Sequence, residues 1–366
     1  MPQILLDGIV GARPNMMKMA PLARALSADG TFSLRLIHTG QHFDDQMSAV
    51  FLRELGMAEP HFNLGVGPGS QGAQTARIME AYETLLLTQG RPRGVVVVGD
   101  VNSTMACTLA AAKLNVPVAH VEAGLRSGDR TMPEEINRLV TDTLSDLLFV
   151  SDPAGLSHLA MEGHDPEAVH FVGNIMMDTL FAELPFAEAS CVLTTLGVEP
   201  QSYVYLTLHR PSNVDHAPTL RRLMDLFSEL AKDVPFVFAV HPRTRRRLTE
   251  AGITLGPADR FRIVEPLGYR DNLRMIQCAM ATVTDSGGIQ EEASVLDIPC
   301  LTVRNCTERP VTVELGTSEL VGNEPERIRE AWGRLRARQW KRVSSIPLWD
   351  GHTSERIVPH LREEWA

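Results

Sequence analysis

The apolar positions of this chain follow two alternating spacings, which predict strands and helices in turn. Short runs of aliphatic and β-branched residues are typical of strands buried on both faces, and the stretches between them have helical spacing. The strands predicted in the first half are residues 4–10, 34–38, 95–99, 116–121, 147–150 and 169–172. Strands that alternate with helices favour parallel pairing, so this half is predicted to be one doubly wound α/β domain.

A second series of the same kind follows a connector around Gly173 and Asn174. The strands predicted in it are residues 203–208, 235–240, 261–264, 281–284 and 300–303. We therefore predict two Rossmann-like α/β domains, an N-terminal one at residues 1–172 and a C-terminal one at residues 173–345. Because domain interfaces are common ligand sites, we expect the two domains to face a central binding cleft.

Composition narrows the possible partners. The 366 residues are 44% hydrophobic and 22% charged, with a net charge of -10. This balance argues against a nucleic acid, whose binding depends on a basic face. No apolar run reaches the roughly 18 residues of a membrane span and no basic leader precedes the first strand, so we expect no membrane partner and a cytoplasmic location. The five cysteines form no C-x-x-C pair, and no His, Asp or Glu spacing predicts a metal site.

Two of the predicted strands in the first half run directly into a carboxylate, Asp100 and Glu122. Ligands of open parallel sheets bind beyond the carboxyl ends of the strands, so these two acids indicate proton transfer. Structural alternatives exist for both residues. Asp100 could cap the following helix, and Glu122 could form an ion pair with Arg126 four residues later.

The loop after the first strand supplies cations. Residues 11–18 have the sequence GARPNMMK, which would bring Arg13 and Lys18 to the same end of the sheet. Cations at that place can neutralise a diphosphate. A lone lysine on a helix is more often solvated, and this alternative stays open for Lys18.

The second half contains a pattern typical of an anion site. Residues 284–292, with the sequence TDSGGIQEE, follow a predicted strand and open a helix. The free N–H groups at the helix start could face a phosphate, the glycines allow close approach, and the acids could bind ribose hydroxyls. A plain turn with solvated glutamates is the alternative. The chain has neither a Walker pattern nor a G-x-G-x-x-G fingerprint, which disfavours an NTPase or a dehydrogenase.

Taken together, the ordered motifs resemble those of the non-hydrolysing UDP-N-acetylglucosamine 2-epimerases over nearly the whole chain. The matching segments are residues 11–14, 18–21, 39–42, 99–100, 120–126, 133–138, 173–174, 209–210, 284–292 and 307–310. The resemblance implies the GT-B architecture, with a C-terminal helix within residues 346–366 that crosses back onto the first domain. It also implies interconversion of UDP-GlcNAc and UDP-ManNAc without metal or other cofactor, for surface polysaccharide synthesis. We expect a homodimer.

The resemblance also implies a role for each candidate residue. That family expels UDP from C1 to give a 2-acetamidoglucal, protonates it on the other face and adds UDP back. By resemblance, the proton-handling carboxylates are Asp100, Glu122 and Glu134. The residues implied to stabilise phosphate or leaving-group charge are Arg13, Lys18 and His209, the last counted as catalytic too. The other implied UDP-binding residues are His241, Ser286, Gly287, Gly288, Glu292 and Arg309.

Some features leave alternatives open. Glu134 lies three residues after Thr131, a spacing that also predicts a helix-capping box. The first loop carries Asn15 where many relatives have an acid, and the segment 128–133 is shorter than in members that a second UDP-GlcNAc activates. Residues 209–215 also differ from the usual His-Arg-Arg-Glu form. The alternatives are a 2-epimerase for a UDP-diacetamido-uronic acid, a hydrolysing 2-epimerase, a GT-B glycosyltransferase and a non-catalytic UDP-sugar sensor. The three carboxylates disfavour the last two, which do not need them.

Overall fold

The structure, a computed structural model, describes residues 3–41, 52 and 54–366. The chain divides into two compact units. Unit 1 contains the residues up to Ala182 together with Pro347–Ala366, and unit 2 is Glu183–Ile346. Each unit is an α/β structure with one parallel sheet, so the predicted fold class is confirmed.

The described elements follow one another in strict alternation over most of the chain. The strands are β1 (Ile4–Val10), β2 (Phe32–His38), β3 (Phe62–Asn63), β4 (Gly94–Val98), β5 (Val118–Ala123), β6 (Leu147–Val150), β7 (Val169–Phe171), β8 (Val204–Thr207), β9 (Phe236–Ala239), β10 (Phe261–Val264), β11 (Ala281–Thr284), β12 (Cys300–Thr302) and β13 (Ser318–Leu320). The helices are α1 (Arg13–Asp29), α2 (Gln71–Thr88), α3 (Asn102–Lys113), α4 (Pro133–Leu144), α5 (Pro153–Met161), α6 (Ile175–Glu188), α7 (Val192–Leu196), α8 (Pro211–Val214), α9 (Ala217–Leu230), α10 (Pro242–Glu250), α11 (Tyr269–Gln277), α12 (Gly287–Val295), α13 (Pro310–Glu314), α14 (Pro325–Arg336) and α15 (Thr353–Trp365).

The two sheets share one topology. Their strand orders are β3-β2-β1-β4-β5-β6-β7 in unit 1 and β10-β9-β8-β11-β12-β13 in unit 2. The order reverses between β1 and β4 in the first sheet and between β8 and β11 in the second. In open parallel sheets, ligands bind beyond the strand ends at this reversal. The topology therefore directs attention to the loops that follow these four strands.

The observed strands differ from the predicted ones at a few places. The sequence did not predict β3 and β13, which have two and three residues and lie at sheet edges, because such short segments show no periodicity. Strand β5 runs to Ala123, so Glu122 lies within the strand and not after it. The pairing of β5 with β6 shifts register between Val121 and Ala123, which marks a β-bulge at Glu122.

Apolar side chains on both faces of each sheet form the cores. In unit 1 the four valines of β4 have no exposed surface, as expected for the central strand of a doubly wound sheet. In unit 2 aromatic rings stack across the second sheet, with centroids 5.9 Å apart for Phe227 and Phe236 and 5.8 Å apart for Phe236 and Phe261. These cores hold the strand ends at fixed positions.

The C-terminal segment packs within unit 1, where α15 contacts α1. The Asp178 carboxylate accepts hydrogen bonds from the backbone N–H groups of Thr353 and Ser354 at 3.0 and 2.7 Å, which satisfies donors at the start of α15. At the other end of α15, the Trp365 ring packs against Gly94, where an added Cβ would lie 2.5 Å from it. Within the described ranges, none of the helices has the length and apolar character needed to cross a bilayer.

Candidate active site

Lys18 and Glu122 form a buried ion pair at the end of the first sheet. The Lys18 ammonium on α1 donates to Glu122 Oε2, and the two side chains are 7% and 2% exposed. Lys18 is therefore not the solvated helix residue that its sequence context allows. Glu122 also does not depend on Arg126, which lies 2.7 Å from Asp142 and 2.6 Å from Glu162. The pair joins the helix after β1 to strand β5.

The backbone of Glu122 has an unusual conformation. Its φ is 75°, in the left-handed region that non-glycine residues rarely adopt. Such a conformation costs on the order of 1–3 kcal/mol and persists only where the surrounding structure enforces it. The register shift at the same residue identifies the local cause, since a bulge turns one side chain away from the regular alternation.

Gly99 allows the Lys18 side chain to reach this place. Its φ is 69°, and a Cβ added there would lie 3.0 Å from Lys18 Nζ and 3.5 Å from Glu122 Oε2. Asn15 holds the neighbouring loop, because its amide donates to the Val98 carbonyl at 2.8 Å while its oxygen accepts from the Ala12 N–H at 3.0 Å. The start of α1 is thereby fixed to the end of β4.

Asp100 follows β4 and meets a buried arginine. Arg138 on α4, 1% exposed, donates to Asp100 Oδ2 at 2.5 Å, while the Asp100 side chain remains 28% exposed. The amide of Asn137 donates to the Asp100 carbonyl at 2.9 Å. Asp100 does not cap the next helix, because the N-cap residue of α3 is Val101. Arg138 and Asn137 thus hold Asp100 from the protein interior, and its carboxylate remains partly exposed to solvent.

Glu134 lies exposed in the first turn of α4, and the capping box allowed by the sequence is not formed. Met132 is the N-cap residue, and no described side chain caps this helix. The neighbouring Glu135 instead accepts from the Ser127 and Gly128 N–H groups at 2.9 Å each. Burial opposes its ionisation, but the Ser127 N–H and the Arg138 guanidinium keep the pKa of Glu135 below its usual value. Glu135 therefore has the structural role, and Glu134 faces solvent.

The remaining candidate of unit 1 is Arg13, at the start of α1. Arg13 is the first residue of α1 and is partly exposed. It lies on the same loop that Asn15 holds. His42, the last residue of the matching segment 39–42, lies outside the described residues. Thus Arg13, Lys18 and Asp100 follow β1 or β4, and Glu122 lies in the last residues of β5, so all four lie at the carboxyl end of the first sheet.

In unit 2 the site is organised by Asp285, a buried carboxylate for which the sequence motifs predicted no role. Asp285 follows β11 and accepts from the backbone N–H groups of His209 at 3.0 Å and Arg210 at 2.9 Å. The Asn213 amide adds a further bond at 3.0 Å. Burial raises the pKa of Asp285, but hydrogen bonding and charge from His209 outweigh it and leave the pKa below its usual value. The strand-end position that singled out Asp100 could also have identified Asp285.

Two histidines lie side by side near Asp285. Nδ1 of His209 lies 3.0 Å from Asp285 Oδ1, and the His209 side chain is 41% exposed. The ring of His241 has its centroid 5.7 Å from that of His209. His241 is exposed at the N-cap of α10, where its Nδ1 accepts from the Arg243 N–H at 3.2 Å. With Nδ1 directed at Asp285, Nε2 is the atom of His209 that can meet a ligand.

The start of α12 has the features of an anion site. Ser286 is its N-cap residue, and no side chain in the described part of the chain caps it. A Cβ added at Gly288 would meet only Ser286 Oγ, at 4.0 Å, so the space beside this glycine is open. Uncapped N–H groups at a helix N-terminus bind anions through hydrogen bonds and the helix dipole. Ser286, Gly287 and Gly288 therefore form an uncapped helix start with open space beside it, an arrangement that could hold a phosphate.

Arg309 lies beside this helix start in a buried ion-pair network. Its Nε donates to Glu291, its Nη1 donates to Glu308 Oε1 at 2.7 Å, and a Cβ added at Gly287 would lie 3.0 Å from Nη1. Burial opposes ionisation of Glu308, but Arg309 and Arg304 hold its pKa well below the usual range. The guanidinium is thus fixed next to the helix N-terminus.

Glu292 is a buried candidate, with 4% of its surface exposed. Burial raises its pKa to about 8, the Glu291 carboxylate acts in the same direction, and the Tyr269 hydroxyl acts against both. Without a ligand, this side chain is mainly neutral at pH 7. A ribose diol that donates hydrogen bonds to it would favour the ionised form.

Fold and site together define a class. Two units of parallel-sheet α/β structure, one with strand-end carboxylates beside a buried lysine and one with a glycine-rich helix start, indicate an enzyme of nucleotide sugars. The sequence profile of the UDP-N-acetylglucosamine 2-epimerase family matches residues 24–362. The chain therefore belongs to that family, and the resemblance seen in its motifs is confirmed.

Individual relatives support the same assignment. The UDP-N-acetylglucosamine 2-epimerase of Methanocaldococcus jannaschii is 39% identical over 360 residues, which cover 96% of each chain. A crystal structure of that enzyme in complex with UDP-GlcNAc and UDP has a TM-score of 0.90 and covers 98% of this chain and 100% of that one. The UDP-2,3-diacetamido-2,3-dideoxy-D-glucuronate 2-epimerase of Pseudomonas aeruginosa is 37% identical over 327 residues, covering 88% of this chain and 90% of the relative.

The expected GT-B fold is supported by a distant neighbour. The structure of UGT2 from Phytolacca americana, complexed with UDP-2fluoro-glucose and pterostilbene, has a TM-score of 0.61 at 13% identity and covers 99% of each chain. Similarity at this level of identity shows the fold alone. The function must be argued from the site.

Proposed function

We propose that the protein interconverts UDP-GlcNAc and UDP-ManNAc by inversion at C2, without hydrolysing the sugar from UDP. The observation that carries the proposal is the buried Lys18–Glu122 ion pair beside Asp100, at the carboxyl ends of β4 and β5. Carboxylates in this setting can exchange protons with a substrate. Family membership adds the substrate class, a UDP-N-acetylhexosamine.

The chemistry explains why several acids are needed. In the forward direction a base takes the proton from C2, the C1–O bond to UDP breaks, and a C1=C2 double bond forms. A second group, which acts as an acid on the opposite face, then donates a proton to C2 while the diphosphate oxygen bonds to C1 again. The proton lost from one face is thus replaced on the other, so atoms and charges balance. One carboxylate cannot serve both faces. The candidates for the two proton transfers are Asp100, Glu122 and Glu134.

The departing UDP requires stabilisation because its negative charge grows as the C1–O bond breaks. We assign Arg13, Lys18 and His209 to this charge, since preorganised cations act most strongly on charge that develops in the transition state. In unit 2 the helix start at Ser286, Gly287 and Gly288 would hold the phosphates. Glu292 would accept hydrogen bonds from the ribose, and Arg309 and His241 complete the proposed UDP-binding set.

The specific test uses deuterated water. Incubation of the enzyme with UDP-GlcNAc in D₂O, without added metal or nicotinamide and with EDTA, should introduce deuterium at C2 of both UDP-GlcNAc and UDP-ManNAc. The label can be followed by NMR and mass spectrometry. A glycosyltransferase or a binding protein would introduce none. Absence of C2 exchange with each UDP-hexosamine tested would rule out the proposed reaction.

A second substrate deserves a parallel assay because the Pseudomonas aeruginosa relative is nearly as similar as the archaeal one. UDP-2,3-diacetamido-2,3-dideoxy-D-glucuronate differs from UDP-GlcNAc at C3, which is bonded to the reacting carbon C2, and at C6. We expect a higher kcat/KM for UDP-GlcNAc. The reverse order would assign the chain to the diacetamido-uronate substrate, and accumulation of free ManNAc would identify a hydrolysing enzyme.

The biological setting follows from the product. UDP-ManNAc is an activated sugar, and we propose that it serves surface polysaccharide synthesis from a cytoplasmic homodimer. Light scattering on the purified protein tests the assembly. A monomer mass at working concentration would contradict the homodimer without affecting the proposed reaction.

A further inference from the structure

A buried histidine that the proposed reaction does not use, His120, lies between Asp100 and Glu122 in the sequence. His120, on β5, has no exposed surface. Its Nδ1 lies 2.6 Å from Asp142 Oδ1, and its Nε2 lies 2.8 Å from the Gly99 carbonyl oxygen. Both partners offer acceptor oxygens, so each ring nitrogen acts as the donor in the bond that it makes.

The bond to Gly99 controls the orientation of Asp100. A trans peptide is planar, with its C=O and N–H pointing in opposite directions. When His120 holds the Gly99 carbonyl, it therefore also sets the direction of the Asp100 N–H and the point from which the Asp100 side chain leaves the backbone. Gly99 has a φ of 69°, a conformation in which glycine has little intrinsic preference of its own. An external hydrogen bond thus decides how this turn is arranged.

Asp142 extends the same frame to the other side of Glu122. Its Oδ2 accepts from the Gly124 N–H at 3.0 Å and lies 2.7 Å from Arg126 Nη1. His120 and Gly124 flank the bulge, two residues before and two residues after Glu122. Burial opposes the ionisation of Asp142, but His120 and Arg126 keep its pKa below the usual value. The charged pair thereby supports the left-handed backbone of Glu122.

We propose that His120 and Asp142 are a positioning pair that sets the geometry of Asp100 and Glu122 for C2 proton transfer. This inference rests on the proposed function. Neither residue exchanges a proton with the substrate in it. Loss of the pair should slow the proton step, and should leave UDP binding unchanged because neither His120 nor Asp142 is among the residues assigned to UDP. A displacement of about 1 Å at reacting groups is enough for a loss of about 10²-fold.

Two isosteric variants separate the bonds of the imidazole. His120→Asn places its amide nitrogen near the position of Nδ1, which preserves the donor to Asp142 and removes the donor to Gly99. His120→Gln places its amide nitrogen near Nε2 and does the reverse. We expect kcat to fall about 10²-fold in His120→Asn and clearly less in His120→Gln, with KM and the UDP dissociation constant within about twofold of wild type.

The isotope effect distinguishes positioning from a general loss of structure. With substrate deuterated at C2, His120→Asn should show a larger deuterium effect on kcat than wild type, because the proton step has become slower relative to the others. Equal losses in the two variants, or an unchanged isotope effect with fewer active molecules, would overturn the proposal. His170→Asn is the matched control, since His170 lies on edge strand β7 and stacks on His360 at 3.9 Å. It should change neither quantity.

A further variant covers the case in which His120 substitutions do not fold. Asp142→Asn keeps an acceptor for Nδ1 but turns an amide NH₂ toward the Gly124 N–H. Its kcat should fall and its deuterium effect should rise, and an unchanged kcat would refute the positioning pair. Wild-type exchange at C2 tests the proposed function separately. If wild type exchanges C2 hydrogen and these variants do not separate, only the positioning inference fails.

Discussion

The two units share one sheet topology and place a buried carboxylate near the point where the strand order reverses, yet they satisfy that carboxylate differently. In unit 1 Glu122 pairs with the Lys18 ammonium, a side chain that arrives from another element. In unit 2 Asp285 accepts from the backbone N–H groups of residues 209 and 210 and from Asn213. The first arrangement depends on one side-chain charge, and the second on backbone and amide dipoles together with the His209 imidazole.

This difference shows how two units with the same fold can take different roles in one reaction. Backbone N–H groups cannot change protonation state, so together with His209 they favour the ionised form of Asp285, which organises the loop of His209. The Lys18 ammonium belongs to a side chain, so, unlike a backbone dipole, it can give way to another partner of Glu122. We therefore propose that proton transfer belongs to unit 1, and that unit 2 supplies most of the nucleotide-binding residues while Arg13 and Lys18 of unit 1 act on the diphosphate charge. The following experiments test this division.

The largest effect is expected for Glu122→Gln. The amide keeps the shape of the side chain and removes its ionisable group, so kcat should fall on the order of 10²-fold or more, while the UDP dissociation constant measured by calorimetry changes little. Glu162→Gln, which alters a partly exposed carboxylate on α5's C-terminal side, is the control. Retained turnover at saturation would assign Glu122 a structural role and move catalysis to Asp100 and Glu134.

The same substitution should also lower stability, because it leaves the Lys18 charge buried without its carboxylate. Breaking a buried pair costs about 3–5 kcal/mol. The double variant Lys18→Met/Glu122→Gln should recover part of the free energy of unfolding, measured in urea, without recovering activity. If both quantities recovered together, the low activity of the single variant would be a consequence of unfolding.

Asp285→Asn tests unit 2. The amide turns an NH₂ toward the donors of His209 and Arg210, so UDP affinity should fall about tenfold and the protein should lose about 1–3 kcal/mol of stability. UDP affinity unchanged in Asp285→Asn would contradict the role of this carboxylate in arranging the binding loop.

Arg13→Ala, by contrast, should both weaken UDP binding and slow turnover, because the diphosphate charge grows as UDP leaves.

The depressed pKa of Asp285 also predicts a pH dependence. Its contribution to stability is complete above its unfolded pKa of about 3.9 and is lost as the pH falls through the lower folded pKa. The stability difference between wild type and Asp285→Asn should therefore be constant near neutrality and shrink below about pH 4. A difference that stays constant into acid would show that the charge is not the source of the stabilisation.

A pair of glycine variants isolates the close approach at the active site of unit 1. Gly99 and Gly30 have φ values of 69° and 77°, so alanine should cost about 1–2 kcal/mol at either place. A Cβ at Gly99 also meets Lys18, whereas a Cβ at Gly30 has no neighbour within 4 Å. We expect kcat to fall in Gly99→Ala and to stay unchanged in Gly30→Ala. Equal kcat values in Gly99→Ala and Gly30→Ala would show that the position of Lys18 does not affect the reaction.

A further pH dependence concerns Glu292. Its folded pKa of about 8 exceeds the unfolded value of about 4.3, so its ionisation in the unfolded chain reduces stability progressively as the pH rises between these values. Glu292→Gln removes this dependence. The variant should gain stability relative to wild type from about pH 4 to about pH 8 while its UDP affinity falls. A constant stability difference over that range would mean that Glu292 is not held neutral in the fold.

Local sequence predicts part of this molecule closely. Strands β6, β10 and β11 have the bounds that their apolar runs indicate, because a short apolar run flanked by polar or turn residues is visible in neighbouring positions. The same logic places Asp100 directly after β4. The edge strands β3 and β13 were not predicted, since their pairing comes from a neighbouring strand and leaves no periodicity in so few residues.

By itself the sequence determined the alternating α/β pattern, the two units of parallel sheet and the family, because each depends on local periodicity or on ordered motifs. Only the tertiary structure decided which charges meet. Lys18 and Glu122 are 104 residues apart, and Arg138 reaches Asp100 from a helix 38 residues later. Such pairs depend on strand order, register and the bulge at Glu122, which are properties of the packed sheet and leave no mark on neighbouring residues.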